Sequence, residues 1–148
     1  MGTVEAIFLR PAARLPVRPV QRATAVVGQG LDGDHAGGGK RQVTILAREA
    51  WAEACRELGQ DVEPAVRRAN VLVSGVDLEA AIGATLRLGE VWIDVLGETR
   101  PCELLDDDGR IGLNAALRPA RRGGVFGQVR VAGELAVGDR AALEPAPE

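Results

Sequence analysis

Apolar and polar residues alternate in short runs along this chain, and glycines separate many of the runs. In Thr85–Leu88 every second residue is apolar, which is the pattern of a β-strand with one buried face. Turn dipeptides follow several runs, as at Gly89-Glu90, Ala132-Gly133 and Gly138-Asp139. The predicted strands span residues 4–9, 42–46, 70–73, 85–88, 91–96, 125–131 and 140–143. Many short strands joined by close turns predict a mainly β fold, a barrel or a sandwich rather than βαβ units.

One segment has helical periodicity instead. From Arg48 to Leu58 the apolar residues recur at helical spacing, and Gly59 is a plausible stop signal after them. The apolar stripe contains Trp51, Ala54, Cys55 and Leu58. Cys55 is therefore expected to pack in the core.

Shorter features complete the expected organisation. Asp77 is a suitable cap for a single helical turn over residues 77–82 that ends at Gly83, and residues 113–117 favour another short helix. The glycine-rich stretch 28–40 is expected to be an irregular loop, and about residues 144–148 a frayed tail. With neither a repeat nor a linker, residues 1–148 are expected to form one domain.

Composition narrows the class of protein. Aromatic residues are 3% of the chain and the net charge is −3, which argues against nucleic acid as a partner. The two cysteines do not make a disulfide framework, and we see neither a signal peptide nor an apolar stretch of membrane-spanning length. A cytoplasmic protein with free thiols and no membrane partner is expected.

Cys102 is the residue with the clearest chemical potential. It follows the apolar run at 91–96 and precedes the acidic Asp106-Asp107-Asp108-Gly109, so it lies where a strand leaves the core. Cations stabilise the reactive thiolate, and arginines occur at positions 100, 110, 118, 121 and 122. The alternative is a buried, inert cysteine. The acidic run lacks the ligand spacing of an EF-hand and is interpreted as a solvated turn.

Three further groups could bind an anion. Gly30-Leu31-Asp32-Gly33-Asp34-His35 offers free amides, with Asp34 and His35 either bracing the loop or pointing into a pocket. Arg68 and Asn70, two apart in extended backbone, would project to one side, and Arg67 would point away. Residues 118–124, which include Arg122, could cradle phosphate. Each group could equally be a surface turn.

In combination these motifs resemble the MOSC domain, named for the C-terminal domain of molybdenum cofactor sulfurase. The matching pieces are residues 30–35, Val43-Thr44-Ile45-Leu46 before a helix, Arg68-x-Asn70 with Gly75, Gly83-x-x-Leu86-x-x-Gly89, Pro101-Cys102, residues 122–125 and Gly138-Asp139. The resemblance implies a mainly β, barrel-like fold with a few helices. It also implies that Cys102 carries sulfur as a persulfide or ligates the molybdenum of a pterin cofactor. Arg68 and Asn70 would lie against that cofactor, and Asp34, His35 and Arg122 are further candidates for binding it.

Two functions follow from the resemblance. The first is a sulfurtransferase-like carrier or molybdenum-cofactor-binding module, supplied by a cysteine desulfurase or another sulfur donor and serving a metal–sulfur or cofactor acceptor protein. The second is a molybdopterin-dependent oxidoreductase that reduces N-hydroxylated compounds with an external redox partner. No pyridoxal phosphate site is expected in this chain. A scaffold with an inert cysteine is the remaining alternative.

Overall fold

The computed structural model describes residues 2–13, 15–35 and 38–144. More of the described residues lie in strands than in helices. The strands are β1 (Gly2–Leu9), β2 (Arg18–Val20), β3 (Arg22–Val26), β4 (Gly30–Leu31), β5 (Val43–Ala47), β6 (Val71–Ser74), β7 (Thr85–Leu88), β8 (Val91–Glu98), β9 (Val125–Val131), β10 (Gly133–Ala136) and β11 (Arg140–Glu144). The α-helices are α1 (Arg48–Leu58) and α2 (Leu113–Leu117), and 3₁₀ turns lie at Pro64–Arg67, Leu78–Ala80, Glu103–Asp106 and Pro119–Arg121.

Seven of the strands close into a barrel. Their order is β11-β7-β8-β9-β5-β6-β1, and β11 pairs with β1 to complete the ring. Closure leaves the seven strands paired on both sides, and β2 extends the sheet from β1. Neighbours in the ring pair antiparallel except β5 and β6, which are parallel. A second sheet, in the order β10-β3-β4, lies beside the barrel.

The apolar side chains form two clusters, one on each side of the barrel wall. Ile45, Val71 and Ile93 belong to the cluster that fills the barrel. Leu46 and Leu72, the next residues along β5 and β6, point outward and pack with Trp51 of α1. All five residues of β5 are buried for this reason, since both faces of the strand are covered.

Helix α1 begins and ends at the residues that the sequence predicted. Gly59 adopts the left-handed conformation (φ 76°) that ends the helix, and its amide donates to the carbonyls of Cys55 and Arg56. The Trp51 indole N–H donates to the Val62 carbonyl at 2.7 Å, which satisfies its polar atom within the apolar cluster. Cys55 is buried in that cluster, as predicted.

The predicted barrel is confirmed, and the element predictions succeeded where the periodicity was strong. The strands at 85–88 and 125–131 and the helix at 113–117 have the predicted bounds, and Asp77 caps its 3₁₀ turn by accepting from the Glu79 amide at 3.1 Å. Strands β2, β3, β4 and β10 were missed. β2 and β4 have only two or three residues, the buried residues of β3 are alanines, and β10 buries only Leu135. The turn predicted at Ala132-Gly133 is wrong for Gly133, which is the first residue of β10. Glu144, the last residue of β11, pairs with Thr85 of β7, so the predicted frayed tail does not include it. Residues 145–148 lie outside the described residues.

The strand ends are what position the site. Arg10 directly follows β1, Thr99 directly follows β8, and the segment 67–69 leads into β6. Arg41 and Gly123 each stand two residues before a strand, β5 and β9 respectively. These positions are far apart in sequence, and they meet in one cleft. Within the described residues, the helices are too short and too polar to span a membrane.

Candidate functional site

Cys102 is exposed at the mouth of a cavity. It follows Pro101 on the segment that leaves β8, and it immediately precedes the 3₁₀ turn Glu103–Asp106. The cavity, called here the cysteine cavity, has a volume of about 360 Å³. Its lining is Val66, Arg67, Arg68, Cys102, Leu104, Leu105, Asp107 and Arg110. The thiol is therefore reachable from solvent, which the sequence alone could not establish.

A second cavity adjoins the first and is lined by four arginines. This arginine cavity has a volume of about 290 Å³. Its lining is Arg10, Arg41, Thr44, Arg67, Arg68, Ala69, Thr99 and Gly123. Arg67 and Arg68 line both cavities, so the two hollows form one cleft with the thiol at one end and a concentration of positive charge at the other.

Arg67 is held by two backbone carbonyls. Its Nη2 donates to the Thr99 carbonyl at 2.7 Å and its Nε to the Gly123 carbonyl at 2.9 Å. Glycine is required at 123 because a Cβ there would stand 2.8 Å from the Thr99 carbonyl oxygen and 3.3 Å from Arg67 Nη2. Burial lowers the pKa of Arg67, the nearby Cys102 works against that change, and Arg41 adds to it. Neutral acceptors thus hold a cation within electrostatic reach of the thiol.

Arg68 differs from its prediction. Its backbone is left-handed (φ 63°), not extended, so the expected claw with Asn70 does not form. Its guanidinium donates to the Ala12 carbonyl at 2.9 Å and to the Leu15 carbonyl. Burial lowers the pKa of Arg68 and the neighbouring Arg10 lowers it further. The expectation that Arg67 points away is also wrong, because the left-handed turn at Arg68 brings both arginines to the cleft.

Asn70 lies behind the arginine cavity as the centre of a hydrogen-bond network. It is 0% exposed. Its Oδ1 accepts from the Thr44 amide at 3.0 Å, the Thr44 hydroxyl at 3.2 Å and Arg10 Nη2 at 3.2 Å. Its Nδ2 donates to the Phe8 carbonyl at 3.1 Å and Asp34 Oδ1 at 3.2 Å. Both ends of the amide are engaged within the protein, so Asn70 orients the lining of the cavity.

Asp34 is the carboxylate of the same network. It accepts from the Arg10 amide at 2.7 Å, from Arg10 Nε at 3.1 Å and from Arg10 Nη2 at 2.8 Å. Burial acts to raise the pKa of Asp34, but the hydrogen bonds from Arg10 and Asn70 outweigh it and the pKa is lowered. Asp34 therefore stays ionised and fixes Arg10 at the cavity wall.

Two predicted cofactor contacts lie outside the cleft. His35 is exposed, and its Nδ1 lies 3.2 Å from the Arg10 carbonyl oxygen. Arg122 pairs with Glu57 of α1 at 2.8 Å and donates to the Ala116 carbonyl at 3.0 Å. It lines a different cavity, together with Ala47, Ala50 and Val76 among others. The structure does not bring His35 or Arg122 to Cys102.

The electrostatics of the arginine cavity favour an anion. Among the described residues its lining contains four guanidinium groups and no carboxylate. Asp34, just behind the wall, compensates Arg10. Arg41 is exposed and lies over the Phe126 ring, with its guanidinium carbon 5.2 Å from the ring centroid. Guanidinium groups bind phosphate and carboxylate oxygens through parallel N–H donors.

Comparison with known families decides the assignment. The model of the MOSC domain matches residues 32–142. The chain belongs to the MOSC domain family. The match includes Arg67, Arg68 and Cys102, whereas Arg10 lies before it. A search of the curated proteins finds no match for this chain.

Solved structures of MOSC-type proteins share the fold. The YuaD protein from Bacillus subtilis has a TM-score of 0.81 at 20% identity, over 99% of this chain and 98% of that one. YiiM from Geobacillus stearothermophilus has a TM-score of 0.78 at 15% identity, over 97% and 75%. YiiM from Escherichia coli has a TM-score of 0.73 at 19% identity, over 99% and 71%. At these identities the similarity establishes the fold.

Sequence reasoning missed part of the MOSC cleft. Arg10, Arg41, Thr44 and Thr99 were not singled out, although each lies in a strand or within two residues of one. The available signal was an arginine at a strand end, as in Leu9-Arg10-Pro11. That signal is weak by itself, because most strand-end arginines are solvated.

Proposed function

We propose that this MOSC domain is a sulfur-carrier module, in which Cys102 takes up sulfane sulfur as a persulfide and delivers it to the molybdenum cofactor. The observation that carries the proposal is the exposed Cys102 thiol at one end of a cleft whose other end is lined by four arginines. A carrier needs a thiol that both donor and acceptor can reach. The arginine cavity supplies the binding energy for an anionic acceptor beside that thiol.

Sulfur uptake requires no outside oxidant. The Cys102 thiolate attacks the terminal sulfur of a donor persulfide, a new S–S bond forms at Sγ, and the donor's S–S bond breaks. The electron pair leaves with the donor's own thiolate. A cysteine desulfurase is the donor that this chemistry fits best, because it presents its sulfur on a cysteine.

The residues of the cleft fit the molybdenum cofactor by donor chemistry. The cofactor's pterin carries a phosphate, which suits Arg10, Arg41, Arg67 and Arg68. Cys102 offers one soft thiolate, the ligand type that a metal already held by organic sulfur donors accepts. When bound, the cofactor would supply oxygen-atom and two-electron chemistry at its metal. In the carrier function, Arg67 and Arg68 orient the acceptor and Cys102 presents the sulfur.

Mass spectrometry tests the carrier function. After incubation with a cysteine desulfurase and L-cysteine, the intact protein should gain one sulfur atom, and peptide mapping should place that atom on Cys102. Cys102→Ser should abolish the gain. Cys55→Ser is the matched control. Cys55 is buried in the apolar cluster, so its substitution should leave the gain in mass unchanged. An adduct on Cys55 alone, or none on either cysteine, contradicts the proposal.

The same geometry fits Cys102 as a ligand of the cofactor's molybdenum, and a second measurement separates the two roles. Protein purified from a host that makes the cofactor is analysed for molybdenum and pterin fluorescence. Metal and pterin that copurify with the wild type, and are lost in Cys102→Ser, indicate a resident cofactor. Persulfide on Cys102 in metal-free protein indicates the carrier role.

A further inference from the structure

Two arginines of the cleft, Arg67 and Arg68, are held by neutral groups, which leaves their charge available to a ligand. Arg67 donates to the carbonyls of Thr99 and Gly123, and Arg68 to those of Ala12 and Leu15. A carbonyl orients a guanidinium without cancelling its charge. Both side chains are also partly buried, and that burial is the largest cause of their lowered pKa. An anion that enters restores the lost solvation and gains charge-assisted hydrogen bonds.

The charge lies at the wall that the two cavities share. Arg67 and Arg68 line the arginine cavity on one side and the cysteine cavity, with Cys102, on the other. An oxyanion bound by these two guanidinium groups therefore stands beside the thiol. Arg41, exposed at the arginine cavity, adds to the attraction of anions from solution.

From this arrangement we propose that the cleft also takes sulfur directly from a small oxyanion donor of the thiosulfate class. The inference rests on the proposed carrier function of Cys102 and adds a donor that is not a protein. The sulfonate end of thiosulfate occupies the arginine cavity, and its outer sulfur faces Cys102. About 290 Å³ is ample for an ion of this size.

The transfer balances without a further reactant. The Cys102 thiolate attacks the outer sulfur of thiosulfate, an S–S bond forms at Sγ, and the bond between the two thiosulfate sulfurs breaks. The electron pair leaves with sulfite, and Cys102 becomes a persulfide. Negative charge builds on the departing sulfite, so fixed guanidinium groups at that end stabilise the transition state more than the ground state. A neutral donor gains nothing from the same groups.

Loading kinetics test the inference. Purified protein is mixed with thiosulfate, sulfite release is followed, and the sulfur on Cys102 is counted by intact mass. We expect release of one sulfite per Cys102 and none from Cys102→Ser. Arg41→Gln should slow loading by about tenfold, the lower end of electrostatic effects on rate. Arg100→Gln is the matched control, because Arg100 is exposed and next but one to Cys102 yet lines neither cavity. It should load at the wild-type rate.

A pair of alkylating reagents isolates the electrostatic part. Iodoacetate is anionic and iodoacetamide is neutral, and both react with the same thiolate. The ratio of the iodoacetate rate to the iodoacetamide rate therefore does not depend on the thiolate fraction or the exposure of Cys102. The ratio should be higher for the wild type than for Arg41→Gln, and unchanged in Arg100→Gln. Inorganic phosphate, which competes for the arginine cavity, should lower the wild-type ratio.

The outcomes separate the inference from the function beneath it. Loading by a cysteine desulfurase but not by thiosulfate overturns the inference and leaves the carrier function standing. Loading by thiosulfate at the same rate in wild type and Arg41→Gln also overturns it, since the positive charge of the arginine cavity then plays no part in loading. Failure of both donors to load Cys102 overturns both proposals. Loading that slows in Arg41→Gln and not in Arg100→Gln supports the inference.

Discussion

Two charged hollows of opposite sign show when charge on a surface can bind a ligand. The arginine cavity lies where β1, β5, β6, β8 and β9 begin or end. The other hollow, the acidic cavity, is lined by Arg22, Gly89, Glu90, Glu134, Ala136 and Asp139 and has a volume of about 420 Å³. The pKa of Arg22 is raised by its hydrogen bond to Glu134, whereas burial lowers the pKa of Arg67 and Arg68.

The opposite pKa shifts have a structural cause. In the acidic cavity Arg22 meets Glu134 at 2.7 Å with both side chains largely in water, 73% and 48% exposed. Asp139 accepts from the Ala136 amide at 2.8 Å and Glu90 accepts from the Glu134 amide at 3.1 Å. The charged groups of the acidic cavity are therefore already neutralised by each other or solvated by water. In the arginine cavity Arg67 and Arg68 are fixed by carbonyls and partly desolvated, so only a ligand can supply the opposite charge.

The largest expected effect is on the free energy of unfolding, which should fall for a variant at the arginine cavity and not for one at the acidic cavity. Asn70→Ala removes the amide that joins Thr44, Arg10, Asp34 and Phe8, and it leaves buried donors and acceptors without partners. We expect a loss of about 3 kcal/mol in the free energy of unfolding, measured in urea. Glu134→Gln, in the exposed pair, should leave that free energy unchanged. Similar effects for the two variants would contradict the view that only the arginine cavity is built on a buried network.

A smaller difference, about 2 kcal/mol, is expected between alanine substitutions at two glycines with similar positive φ. Gly124 (φ 99°) directly follows Gly123 of the cleft, and a Cβ there would collide with the Ile45 carbonyl oxygen. Gly138 (φ 96°) lies beside Asp139 of the acidic cavity, where a Cβ would meet nothing within 4 Å. Gly138→Ala should cost about 1 kcal/mol for the left-handed backbone alone. Gly124→Ala should cost about 2 kcal/mol more, because the backbone must also move. Equal costs in denaturant unfolding would show that the cleft is not tightly packed.

The smallest expected effect concerns anion binding itself. Inorganic phosphate should stabilise the wild type, by about 1.4 kcal/mol when its concentration is ten times the Kd. Arg41→Gln should reduce the stabilisation and Arg22→Gln should not, since Arg22 lies in the acidic cavity. Thermal unfolding with phosphate, at constant ionic strength, measures both. Equal stabilisation of the two variants would mean that phosphate acts through general screening.

The sequence predicted most elements whose physics is local. Alternation at 85–88 and 125–131 and the apolar stripe of α1 depend on neighbours along the chain, and each was found with its observed bounds. Strands β2 and β4 have three and two residues, too few for a period to show, and β10 buries only Leu135; their pairing partners stabilise all three. Of the residues that the sequence singled out, Cys102 and Arg68 line the cleft, whereas Arg122 pairs with Glu57 outside it.

What the sequence determined by itself was a mainly β chain with one thiol at a strand exit, because these features follow from periodicity and position. What the tertiary structure decided was which residues surround that thiol. Arg10, Arg41 and Arg67 come from three distant segments, and only the pairing order of the barrel sets their strand ends side by side. The left-handed turn at Arg68 then brings Arg67 to Cys102. Pairing order is a long-range property, so no local pattern records it.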